Sequence, residues 1–110
     1  MSLSALLLTS TLALAQGISD EEAYVEGCIA GGDTEIICQC TIDHLRRSYI
    51  PSEYKLLLAM MVSGMTKDQE RTAELVQLFS NDMQAFGKFA SDGRVVLDKA
   101  FIGCRTEHEE

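Results

Sequence analysis

Four cysteines constrain this chain more than any other feature in it. Cys28, Cys38 and Cys40 flank a Gly31-Gly32 turn, and Cys104 lies near the far end. An even set of this kind in a small exported chain reads as two disulfides. Cross-links matter at this size. The chain has 110 residues, and a core that small is marginal without added constraint. A Cys38–Cys40 bridge would close a very small, strained ring. Helix faces separate the other two pairings. Cys38, Ile42, Leu45 and Tyr49 recur at helical spacing and form one apolar stripe, whereas Cys40 lies about 200° further round the helix. The stripe is expected to look into the main core and Cys40 towards the short first helix. That favours Cys28–Cys40 with Cys38–Cys104. The exchanged pairing, Cys28–Cys38 with Cys40–Cys104, stays open.

The opening of the chain bears on compartment. Leu6-Leu7-Leu8 through Leu12-Ala13-Leu14-Ala15 is apolar, and Ala13-Leu14-Ala15 makes a small-x-small cleavage pattern before Gln16. Residues 1–15 therefore read as a secretory signal peptide and residues 16–110 as one disulfide-stapled helical domain, periplasmic or secreted. No Lys or Arg precedes the apolar run, so either the signal is a weak one or the true start lies upstream of Met1. No cysteine directly follows the cleavage site, where Gln16 stands, which argues against a lipid anchor. The net charge is −8. Nucleic acid and anionic membrane surfaces both require a positive patch, so neither is expected as a partner. No later apolar run approaches the roughly 20 residues of a membrane span.

Helix signals fill the rest of the chain. Ser19-Asp20-Glu21-Glu22 is a capping box, and a first helix is expected to run to about Ala30, with Tyr24, Cys28 and Gly27 inward. Gly31-Gly32 closes it. A second helix is expected from about Glu35 to Ser48, ended by Pro51, which also starts the third. Leu56 through Val62 is an unbroken apolar run that covers every side of a helix, so the third helix is expected at the centre, ending at Gly64. Thr66-Lys67-Asp68-Gln69 reads as a second capping box, opening a fourth helix with the stripe Val76, Phe79, Met83, Phe86 and Ala90. Ser91-Asp92-Gly93 reads as a break before a fifth helix carrying Val96, Leu97, Ala100, Phe101 and Cys104. The expected fold is all-α: a compact bundle of about five helices stapled by two disulfides, after the signal segment.

Chemistry has few candidates. Cys38-Gln-Cys40 as an exchangeable dithiol lacks the strand-helix-strand context of thioredoxin-like proteins. Cys40 and His44 share a helix face and, with Met61 and Met65, make a candidate set for a soft metal ion. Methionines at helical spacing are more commonly core filler. Asp43, His44 and Ser48 imitate a triad but lie on one short stretch with no oxyanion site. The chain has no nucleophile elbow, zinc-protease His-Glu-x-x-His or phosphate loop. No catalytic residue and no cofactor is assigned, and the chain is read as not an enzyme.

The Cys28-x9-Cys38 spacing invites comparison with mitochondrial twin Cys-x9-Cys hairpins, but these need two such pairs, each within one helix, and Gly31-Gly32-Asp33 interrupts the single pair here. The fuller pattern resembles small uncharacterised exported Cys-rich helical proteins of proteobacteria. It comprises a signal, Cys28, Cys38-x-Cys40-x-x-Asp43-x-Leu45, and the late Cys104. That resemblance implies helices and export, and no known activity. The expected role is a partner-binding or accessory protein. Its contact surfaces would be the outer side of the fourth helix and the acidic face of the first (Asp20, Glu21, Glu26). The alternative is a periplasmic metal-handling protein using Cys40, His44, Met61 and Met65. An apolar-ligand carrier between the third and fourth helices is a third reading.

Overall fold

Four of the five helices among the described residues begin where a side chain can hold their first free amides, and the other begins at a proline. In the computed structural model, which describes residues 18–108, the Ser19 hydroxyl accepts from the Glu22 amide at 3.1 Å and opens α1 (Asp20–Ala30). Thr34 accepts from the Ile37 amide at 3.3 Å and opens α2 (Glu35–Ser48). Pro51, whose missing amide would have had no partner there, opens α3 (Pro51–Met65). Asp68 accepts from Arg71 N at 3.0 Å to open α4 (Gln69–Gln77), and Asp82 accepts from Ala85 N at 3.0 Å before α5 (Met83–His108). The described residues are helices and turns without strands, so the fold is all-α. The expected signal segment lies outside the described residues.

The turn after α1 uses its glycines as expected, because Gly32 adopts φ 110°, which a side chain would resist. Three other expectations are corrected. Gly64 does not end α3. The helix continues to Met65, and the left-handed residue that closes it is Lys67, φ 57°. α4 starts at the Asp68 cap rather than at Thr66, and it stops at Gln77, so the stripe from Val76 to Ala90 is cut by a turn over 78–82. The expected break at Ser91-Asp92-Gly93 is absent, and α5 runs unbroken for 26 residues. Gly93 is there for packing. It is buried in the helix, and a Cβ on it would come within 2.5 Å of Leu57 Cδ1 on α3. The bare backbone lets α5 pass close to α3.

The core is shared by the first three helices. Tyr24 and Val25 of α1 meet Cys38, Ile42 and Leu45 of α2 and Tyr54, Leu57, Leu58 and Val62 of α3. The apolar run of α3 is surrounded as its composition requires. α3 packs against α1, α2 and α4, and Leu57 reaches α5. Each such leucine contributes about 1.5–3 kcal/mol by leaving water. α5 lies along the other side of α2. His44 and Ser48 share a depression with Val96, Lys99 and Ala100, while Cys40 meets Cys104, so the two helices run antiparallel.

That arrangement decides the disulfides. The bridges are Cys28–Cys38 and Cys40–Cys104, not the favoured Cys28–Cys40 and Cys38–Cys104. The inner stripe of α2 was expected to meet the last helix, but α1 and α3 cover it, and so Cys38 faces Cys28. α5 takes the remaining face, which carries Cys40.

Candidate functional site

The first turn of α1 fixes a cleft between α1, α3 and α4. Asp20, next to the Ser19 cap, accepts two hydrogen bonds from the Arg71 guanidinium, at 2.8 and 2.7 Å, and so ties α4 to α1. Glu21, one position on, accepts from Arg46 Nη2 of α2 at 2.8 Å and from the Tyr54 hydroxyl of α3. Arg46 also donates to Asp43 at 2.8 Å and lies 5.8 Å from the centre of the Tyr54 ring. Three helices thus converge on one carboxylate.

The electrostatics follow from those contacts. The Tyr54 hydroxyl, and after it the Arg46 guanidinium, hold the Glu21 carboxyl below the usual glutamate range. Burial, and after it the hydrogen bond to Glu21, pushes the Tyr54 hydroxyl well above the usual tyrosine range, so it remains a donor at any ordinary pH. The Asp20 carboxylate raises the pKa of Arg71.

Between these locks is an open cavity of about 640 Å³. Its floor is Pro51, Leu58 and Ala59, and its rim carries Lys55, which has no ion partner among the described residues. An apolar floor with a few fixed polar groups is the usual make-up of a binding cavity. Two of the three acidic residues expected to offer a contact face, Asp20 and Glu21, are turned to internal use here, and Glu26 stays exposed.

A second cluster lies on the α2–α5 seam. The Cys40–Cys104 bridge has His44 on one side, with ring nitrogen and both sulfurs mutually within 4.8 Å. His108 and Glu107 come equally close to the Cys40 sulfur. Of the metal set read from the sequence, the structure brings Cys40 and His44 together. Met61 packs on the core cluster, and Met65 lies against Gly27 of α1. Sequence reasoning missed Cys104 and His108 as companions, although the spacing was legible: Cys40-x3-His44 is repeated as Cys104-x3-His108.

The other sequence candidates are not assembled. Cys38 and Cys40 belong to different bridges, so they do not form one dithiol pair. The Ser48 hydroxyl donates to the His44 carbonyl at 2.7 Å, and Asp43 accepts from Arg46, so Asp43, His44 and Ser48 do not act as a triad. The space between α3 and α4, beside Ser63, Thr72 and Phe86, is about 120 Å³ and would hold only a few ligand atoms.

Comparison with protein-family models, curated proteins and solved structures finds no match to this chain.

Proposed function

We propose that the chain is a small exported, disulfide-stapled binding protein that serves as a partner-binding or accessory subunit, with the α1–α3–α4 cleft as its contact site. The observation that carries this reading is the Lys55 ammonium, without an ion partner among the described residues, beside an apolar floor, in a cleft whose other charges are locked to one another. The occupant it suits is a partner segment with an apolar side chain next to a carboxylate. The apolar part gains by leaving water, and the carboxylate supplies a counter-charge for Lys55. Export is supported by the two bridges, which suit an oxidising compartment, by the signal-like opening, and by the resemblance to exported Cys-rich helical proteins. A binding surface held rigid in advance loses less ordering entropy when it docks, and that is what the staples supply.

A photo-cross-linking residue in place of Ser19, on the cleft rim, tests this in the exporting cell. One discrete cross-linked species is expected, absent when the same probe replaces Glu26 and absent again when Lys55→Glu is added. Identical products from the Ser19 and Glu26 probes, or none from either, would remove the cleft from consideration.

A further inference from the structure

We propose that Cys40, Cys104, His44 and His108 form a site for one thiophilic divalent ion, zinc(II) by preference, which opens when a thiol reductant cleaves the Cys40–Cys104 bridge. The proposal does not depend on the cleft reading.

The first argument is placement. The chain has 2 histidines, and each follows one cysteine of this bridge by four positions. Residues four apart share one face of a helix, so α2 and α5 each turn a cysteine and a histidine towards the seam. No histidine is left for the other bridge. The second argument is distance. His44 nitrogen and the sulfurs of Cys40 and Cys104 already lie within 4.8 Å of one another, and His108 nitrogen lies within 4.8 Å of the Cys40 sulfur. Zinc–sulfur and zinc–nitrogen bonds of about 2.3 and 2.0 Å put tetrahedral ligands roughly 3.3–3.8 Å apart. Within each group, small side-chain rotations close that gap. The two groups share Cys40, and because α2 and α5 are antiparallel, His44 and His108 reach it from opposite ends of the seam; once the bridge opens, rotation of the freed cysteines and of His108 would bring two thiolates and two imidazoles to one ion. The third argument is access. Cys40 is half-buried and lines an open depression of about 400 Å³ with Glu35, Asp43 and His108. A small thiol can enter there, and the carboxylates favour a cation.

The chemistry balances. Two reductant thiols give two electrons and two protons to the bridge, leaving Cys40 and Cys104 as thiols and the reductant as its disulfide. The ion then displaces both thiol protons to solvent and binds two thiolates and two neutral imidazoles. The covalent staple between α2 and α5 is replaced by a coordinate one, so the seam stays pinned in either redox state.

The test reduces the purified oxidised protein with a phosphine, removes the phosphine, and titrates cobalt(II) under exclusion of air. One equivalent is expected to give a thiolate-to-cobalt charge-transfer band and the visible bands of tetrahedral cobalt, both lost on adding zinc(II). The oxidised protein should show neither. His44→Ala and His108→Ala should each weaken cobalt binding at least tenfold, Cys40→Ala with Cys104→Ala should abolish it, and Cys28→Ala with Cys38→Ala should leave it in place. Circular dichroism covers loss of fold: if reduction unravels the chain, one equivalent of metal should restore the helical signal. A reduced protein that shows no stoichiometric tetrahedral cobalt, stays unfolded with metal present, or binds unchanged after both histidines are removed would overturn the proposal.

Discussion

Cutting the two bridges one at a time should cost unequal amounts, with the larger loss at Cys40–Cys104. The bridges span sequence separations of 10 and 64 residues. In the chain-entropy description the short loop constrains the unfolded state by about 2.7 kcal/mol and the long one by about 4.3 kcal/mol, a difference of about 1.6 kcal/mol. Each bridge has one fully buried cysteine, Cys38 and Cys104, both 0% exposed. Replacing both partners of either bridge by alanine therefore leaves similar small voids, and the packing losses largely cancel in the comparison. The assay is urea unfolding of Cys28→Ala/Cys38→Ala and of Cys40→Ala/Cys104→Ala beside the parent. With a slope of about 1–1.5 kcal/mol/M for a domain of this size, the two midpoints should differ by about 1.1–1.6 M, the long-loop variant being the weaker. Together the bridges account for about 7 kcal/mol, within the range of a small domain's whole stability, so full reduction should bring the fold close to its threshold. Equal midpoints, or the short-loop variant unfolding first, would show that loop entropy is not what these bridges supply.

Three further outcomes follow from particular contacts. Glu21 is held below its ordinary value of 4.5, so it stabilises the fold fully above that value and stops doing so as pH falls through the depressed one; urea midpoints of the parent should drop more steeply below about pH 4.5 than those of Glu21→Gln, and parallel acid limbs would contradict this. Arg71→Ala removes the tie between α4 and α1 from a helix with no buried residue of its own. Amide exchange in α4 should accelerate while global stability falls by less than about 1 kcal/mol, and unchanged α4 protection would count against the tie. Gly93→Ala puts a methyl 2.5 Å from Leu57 Cδ1, and overpacking of about 1–3 kcal/mol should outweigh the roughly 1 kcal/mol gained in helix propensity; a raised melting temperature would refute the close passage of α5 over α3.

Local rules carried a long way here. Ser19, Thr34 and Pro51 start helices where their side-chain chemistry requires, and Gly31-Gly32 closes α1, because capping is settled within one turn. The same rules misplaced the ends of the later helices. Asp82 was a legible cap, but the stripe running from Val76 to Ala90 concealed it, since Phe79 packs on Phe86 and Phe89 across the turn as it would along one helix. Gly93 imitates a helix breaker, and only its neighbour Leu57 shows that its role is contact.

By itself, the sequence determined the helical class, the number of about five helices found among the described residues, the apolar stripe of α2, the enveloped third helix and the presence of two bridges, because periodicity, caps and cysteine count act on residues close along the chain. The tertiary structure alone decided which face of α2 each neighbour covers. From that follow the partner of each cysteine, the meeting of Arg46, Tyr54 and Glu21 around the cleft, and the gathering of both histidines at one bridge. A helix with two usable faces leaves its partners undetermined until the whole core is assembled, since burial depends on all the neighbours at once.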